Sequence, residues 1–201
     1  MRRPLAFLVV LVVAAALGSP AGAGALGRPE IVAGVGRTFA ATGSPDGGGA
    51  AVSLALAWPV EDRFGFGVRV FADDIGTRLD RLSDPNSGAD LGAVATSHRW
   101  SYGAAWCGEA LLSRHGKWAH RAEAGWGFWR QEDDTRGRTT GAVSATGFTL
   151  GLSAARQFGA TKTLGLAARY QHVFLDREPV APAADRYASC ALEWRWSGAQ
   201  D

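Results

Sequence analysis

Lysine is nearly missing from this chain: Lys117 and Lys162 are the only two, although arginine is plentiful. Cysteine occurs twice, at Cys107 and Cys190, too few to staple a small disulfide-rich domain. Neither stands at an export cleavage point, which argues against a lipoprotein anchor. Strand alternation puts the two on opposite faces, which argues against a bond between them. Past the N-terminal leader no apolar run reaches the ~18 residues of a membrane-crossing helix. The net charge of +2, with no basic stripe, gives no support for a nucleic-acid partner. No cofactor or metal motif is expected.

The leader itself is legible. Arg2 and Arg3 precede the uncharged apolar run Leu5 to Leu17, and small residues follow at Ala21-Gly22-Ala23 and Ala23-Gly24-Ala25. That order is expected of an export signal, covering residues 1–25 and removed from the mature chain. Residues 26–201, roughly 175 of them, suffice for one domain.

What is present is alternation. Val52, Leu54, Leu56 and Trp58 interleave with Ala51, Ser53, Ala55 and Ala57. Phe64, Phe66, Val68 and Val70 interleave with Arg63, Gly65, Gly67 and Arg69. Period two over this length predicts strands. Folding about Glu61 pairs Trp58 with Phe64 and Leu56 with Phe66, so the large residues share one face. Further strands are predicted near Glu30–Ala41, His98–Leu112, Trp118–Arg130, Phe148–Ser153, Leu164–Tyr170 and Tyr187–Trp196. Their large faces carry Trp100, Tyr102 and Trp106; Trp126 and Phe128; Phe148, Leu150 and Leu152; Leu164, Leu166 and Tyr170; and Leu192, Trp194 and Trp196. The links alternate. Those around Glu61, His115-Gly116 and Gly159-Ala160 are short, while Thr42–Gly49, Asp73–Ser97, Gln131–Ala142 and Asp176–Asp185 are long and polar. An even-stranded transmembrane barrel with both termini in the periplasm has this rhythm.

Two eight-stranded architectures fit the pattern. A soluble lipocalin-like carrier of an apolar ligand keeps its large apolar residues inside. A transmembrane barrel turns them to lipid. The second face here is Gly, Ala, Ser and Thr with scattered charge, poor as a lysine-free exterior in water but suited to a narrow lumen. Buried charges must then be paired. Arg69, Arg121, Arg169 and Arg195 meet a supply of Glu109, Glu123 and Glu193. Folding about His115 sets Glu109 directly across from Arg121. The aromatics gather in two belts, Trp58, Phe64, Trp118, Trp194 and Trp196 at the turn side and Trp100, Tyr102, Phe128, Phe148 and Tyr170 towards the loops. The membrane assignment is the one that pairs the charges and turns the aromatics outward.

On this pattern the chain from Glu30 to Trp196 resembles the small eight-stranded outer-membrane β-barrel family, the OmpA-domain and OmpX-like proteins. The resemblance implies an all-β, up-and-down antiparallel barrel in a bacterial outer membrane, monomeric, touching membrane lipid and lipopolysaccharide. Such chains usually finish on an aromatic residue, whereas here five residues, Ser197 to Asp201, follow Trp196. Some barrels of this size modify lipid A with a serine, a histidine and an acid. His172 and Ser189 fall on opposite faces, which is poor geometry for a base and its nucleophile. The expected role is therefore structural or surface-interacting, not catalytic, with four external loops contacting partners. A wide diffusion channel needs about 16 strands. In the longest link, Ile75, Leu79 and Leu82 have helical spacing, and Asp84 to Asp90 reads as a turn although alternating oxygens also suit calcium. Arg37 stands among lipid-facing positions, either reaching a headgroup phosphate or turned inward by a bulge.

Overall fold

Alternation on this scale leaves each strand with one face to bury, and the chain meets that by closing a sheet on itself. The computed structural model describes residues 29–39, 48–84, 86–135, 138–174 and 186–197. They form β1 (Glu30–Phe39), β2 (Ala50–Pro59), β3 (Phe64–Ser83), β4 (Asp90–His115), β5 (Trp118–Thr135), β6 (Arg138–Gln157), β7 (Lys162–Phe174) and β8 (Arg186–Trp196). Consecutive strands pair antiparallel and β1 pairs with β8, closing an eight-stranded barrel. Within the barrel closure leaves no unpaired edge, whereas beyond it β3 and β4 pair only with each other among the described residues. Residues 1–28, which include the expected export signal, most of the β1–β2 link, the β7–β8 link and the tail beyond Ser197 lie outside the described residues.

The large apolar residues are outside. Leu166, Leu152 and Trp106 are 66%, 63% and 61% exposed, and Val35, Phe64, Trp126 and Phe128 share their face. Arg69, Thr149, Arg169, Ser189, Glu193 and Arg195 are buried in the lumen. This is the inverse of a lipocalin, so the carrier alternative fails. An apolar outer surface with every ladder closed is the form a sheet takes in hydrocarbon.

Two registers differ from expectation. Trp58 lies opposite Phe66, Leu56 opposite Val68 and Leu54 opposite Val70, a slip of two residues. The reversal is wider than one about Glu61, with the amides of Val60 and Glu61 both donating to the carbonyl of Phe64. A slip of two preserves parity, so the faces stand. Glu109 lies opposite Glu123, not Arg121, whose partner is Leu111. A register shift between Leu111 and Ser113 inserts the extra residue, Leu112, and Gly116 (φ 57°) makes the turn.

The larger correction concerns the long links. β3 and β4 stay paired through Ser83↔Asp90, and β5 and β6 through Thr135↔Arg138. Segments expected as loops are strand, and the helical spacing of Ile75, Leu79 and Leu82 falls within β3. Ile75 is fully buried, at the irregularity where Gly76 (φ 92°) lets β3 bend. At the hairpin tip, Asp84 accepts from the Asn86 amide at 2.9 Å and the Ser87 hydroxyl at 2.6 Å, the turn the sequence predicts. β1 has no register break, so Arg37 stays exposed on the outer face, its Nε donating to the Gly48 carbonyl at 3.2 Å. The inward-turned alternative for Arg37 fails.

Candidate functional site

Small residues on the lumen face leave room for long charged side chains from opposite walls to meet on the axis. They do so at two levels. In the middle, Arg69 (β3) and Arg169 (β7) face Glu123 (β5) and Glu193 (β8). Arg69 Nη2 reaches Glu123 Oε2 at 2.6 Å, and its Nη1 reaches Glu193 Oε1 at 3.0 Å. Arg169 Nε lies 3.2 Å from Glu123 Oε1, and its Nη2 2.6 Å from Glu193 Oε1. Ser53 Oγ accepts from Arg69 Nη1 at 3.3 Å. Each guanidinium thus holds both carboxylates, and the quartet is neutral.

A second neutral quartet closes the turn side. Arg195 donates to Glu30 Oε2 at 2.7 Å and to both oxygens of Glu109, at 2.9 and 2.5 Å. Arg121 Nε lies 3.0 Å from Glu109 Oε1. The expected Glu109–Arg121 contact therefore exists, made along a diagonal. The geometry brings together all seven charged residues singled out from the sequence, in two groups, and adds Glu30. Its place on the inward parity of β1 was the signal for it.

Above the middle quartet sits a level the sequence reading missed. Trp129, Phe71, Ile75, Val173 and Tyr187 form a buried cluster inside the barrel. Gln171 Oε1 accepts from Trp129 Nε1 at 2.6 Å and from the Tyr187 hydroxyl at 2.7 Å, and its Nε2 donates to Asp73 Oδ2 at 2.9 Å. With its one hydrogen given to Gln171, the Tyr187 oxygen accepts from the Ser101 hydroxyl at 3.0 Å. Higher still, Arg99 Nε reaches Asp133 Oδ1 at 2.7 Å. Trp129 shares parity with Arg121 and Glu123, which was enough to place it inward. Between this level and the middle quartet lies a cavity of about 20 Å³ bordered by Ser53, Thr149 and Gln171, the size of one water. The lumen is filled.

The aromatic residues expected in belts all stand on the outer face. Trp58 stacks on Phe66 at 5.6 Å and Trp194 packs against Trp196 at 5.7 Å, while Phe64 and Trp118 are exposed near the turns. Towards the loops Phe148 packs against Tyr170 at 6.2 Å, Phe128 against Trp106 at 6.2 Å, and Trp100 against His98 at 5.7 Å. Tyr102 pairs across from Arg130.

The histidines are engaged elsewhere. His172 stacks on Phe148 at 5.2 Å, away from the buried Ser189. His98 Nε2 lies 2.9 Å from Asp74 Oδ1. One serine–histidine contact does occur, Ser113 Oγ to His120 Nδ1 at 3.0 Å. Among the described residues no carboxylate orients the His120 ring, and the pair lines none of the cavities described above. Cys107 is buried in the lumen and Cys190 faces outward, both as free thiols. Among the described residues no three His, Cys, Asp or Glu side chains converge to hold a metal ion.

No protein-family model matches the chain, and no curated protein matches it. Solved structures do. Neisserial surface protein A aligns with a TM-score of 0.58 at 9% identity, covering 84% of this chain and 95% of that one. The N-terminal β-barrel domain of Pseudomonas aeruginosa OprF gives 0.52 at 9% identity, over 85% and 98%. Ail, the attachment invasion locus protein of Yersinia pestis, gives 0.51 at 10% identity, over 85% and 97%. At these identities the likeness is one of architecture: the chain has the fold of the small eight-stranded bacterial outer-membrane β-barrels.

Proposed function

We propose that this protein sits in a bacterial outer membrane and acts there without catalysis, as a structural and surface-interaction protein whose outward-reaching strand pairs contact partners beyond the cell. One observation carries this reading. A tilted strand needs about 9–11 residues to cross a bilayer. β4 has 26, β3 and β6 have 20 each, and β5 has 18. The excess lies on the loop side. Counted from Asp74 to Ser83, the β3–β4 ribbon extends ~30 Å past the aromatic belt at 3.3 Å per residue. A hydrogen-bonded ribbon presents a fixed surface, and ordering it on binding costs less than ordering a free loop.

The rest of the molecule is consistent with this. The filled lumen supports neither bulk diffusion nor an apolar cargo. The lone Ser113–His120 contact lacks the third group that a nucleophile's base needs. The apolar band meets lipid as a monomer. Arg37, exposed next to the loop-side belt with its Nε held by the Gly48 carbonyl, would offer its remaining donors to a lipopolysaccharide phosphate in this reading. Residues 1–25 serve as the export leader in this reading.

The test uses two variants. In a Cys107→Ala/Cys190→Ala background, Ser87→Cys should react on intact cells with a maleimide that does not cross membranes. Replacing residues 77–98 with a short turn should then abolish adhesion of expressing cells to matrix-protein-coated plates, while the unboiled protein keeps its fast-migrating folded band. Adhesion equal to that of the full chain would sink the interaction role. A Ser87→Cys variant left unlabelled on intact cells, but labelled once they are lysed, would reverse the orientation.

A further inference from the structure

The turn-side mouth carries cations that the lumen's pairing does not use. A vestibule of about 490 Å³ opens there, bordered by Arg114, Lys117, Lys162, Gln157, Thr161 and Ser197 over a floor of Glu30, Arg121 and Arg195. The floor is neutral, because Glu30 and Glu109 together balance Arg121 and Arg195. The lip is not. Arg114, Lys117 and Lys162 are exposed and form no ion pair among the described residues. The only lysines of a chain that otherwise uses arginine both stand here.

Backbone bonds fix the lip. The Gln157 amide donates to the Lys117 carbonyl at 2.8 Å, and the Phe158 amide to the Lys162 carbonyl at 2.7 Å. Two neighbouring turns therefore carry one lysine each, on either side of Gln157. The Ser197 amide donates to the Thr161 carbonyl at 2.8 Å, which brings a third chain segment with a hydroxyl to the rim. Across the mouth the β2–β3 turn is of mixed sign, with Glu61, Asp62 and Arg63. The two lysines thus stand on one side of the mouth and are partly enclosed, where a field acts further than on an open surface, while Arg114 also borders a cavity shared with Glu61 and Asp62.

We propose that this vestibule is a binding site for a phosphate-bearing anion, held by Arg114, Lys117 and Lys162 and seated on the neutral Arg/Glu floor. Three cations from β4, the β4–β5 turn and the start of β7 suit an anion of two or more charges; a single carboxylate would occupy one of them. Gln157 and Thr161 offer neutral donors to the remaining oxygens, while the Ser197 hydroxyl is held by Glu30 Oε1 at 2.8 Å. The volume accepts a small phosphorylated molecule. The same chemistry could enter as a soluble phosphate compound or as the headgroup of an anionic phospholipid folded over the rim. This site lies at the opposite end from the proposed contact surface and stands independently of it.

The test is calorimetric titration of inorganic pyrophosphate into the mature protein in phosphatidylcholine nanodiscs, at low ionic strength where surface charge is least screened. Saturable binding at one site is expected. Lys117→Ala/Lys162→Ala should weaken it by at least ~10-fold, since two charge-assisted contacts are lost. Arg63→Ala, on the opposite turn, should leave it unchanged. The folded band in unboiled samples controls for barrel integrity in each variant. No saturable binding, or equal affinity in the double variant, overturns the site. Repeating the titration in phosphatidylglycerol discs then names the source: a loss of pyrophosphate affinity confined to the chain with both lysines marks the headgroup as occupant, and unchanged affinity marks a soluble anion.

Discussion

Glu123→Gln tests the lumen most directly. Glu123 Oε2 accepts from Arg69 Nη2 at 2.6 Å, and Oε1 accepts from the Nε of Arg69 and of Arg169 at 3.2 Å each. Glutamine keeps the shape but removes the charge, and it turns one acceptor into an amide that points its hydrogens at a guanidinium. The middle quartet then holds two cations against Glu193 alone. Breaking a buried pair by removing one partner costs about 3–5 kcal/mol. Glu193 still touches both arginines, which favours the lower end, about 3 kcal/mol. Adding Arg169→Met restores neutrality, because Arg69 and Glu193 remain paired, and should recover much of the loss. The coupling between the two substitutions should exceed ~1 kcal/mol. Urea unfolding from lipid vesicles, followed by tryptophan fluorescence and by the folded band in unboiled gels, gives all three free energies. A loss below ~1 kcal/mol for Glu123→Gln, or a double variant that falls by the sum of the singles, would refute a cooperative charge level.

Other perturbations separate the outer face, the upper lumen and the hairpin tip. Leu166→Arg, on the most exposed apolar position, should cost ~2–4 kcal/mol and impair insertion, measured as folded yield in vesicles. Gly103→Val should disrupt the upper cluster, because a Cβ there would come within 2.9 Å of the Phe71 ring and closer still to the Phe128 carbonyl. Loss of the near-ultraviolet signal from Trp129, which packs 5.3 Å from Phe71, would report it. The Ser87 hydroxyl, and then the Asn86 amide, hold the Asp84 carboxyl below its ordinary value. A depressed carboxylate stabilises its turn above the unfolded value near 3.9 and loses that as pH falls through the lowered one. The Asn86 amide resonance should therefore move only at pH below the usual carboxylate range, and Ser87→Ala should bring the transition up.

Faces were legible in the sequence and registers were not, for one physical reason. Lipid and lumen impose opposite demands on neighbouring residues, so Leu166 and Ala167, or Trp194 and Arg195, declare their sides without any knowledge of partners. A slip of two, as between Trp58 and Phe66, leaves those demands met and so leaves no trace in composition. The turn after His115 and the bulge at Leu112 are equally silent: the turn pairs His115 with Trp118, three positions beyond a fold about His115, and the bulge takes back one, so that Glu109 faces Glu123 and not Arg121. The outward ribbons were missed because Asp73–Ser97 shows no period of two in its residues and so reads as loop. Trp129 was hidden among lipid-facing tryptophans by residue type, though its parity with Glu123 set it inside.

The filled lumen decides where function can reside. From Glu30 to Asp133 successive levels of the interior are closed by ion pairs, by the Trp129 and Tyr187 cluster, and by the Arg99–Asp133 pair. Passage along the axis would have to undo each in turn, and each buried pair broken leaves an uncompensated charge. Exchange with the surroundings is thereby left to the two ends, and these are built differently. The loop end continues into paired strands, β3 with β4 and β5 with β6, with a capped turn at Asp84. The turn end has tight turns and concentrates both lysines on one side of its mouth. A barrel serving only as a membrane plug would need neither asymmetry, since the belts and the two neutral quartets already suffice to seat and close it.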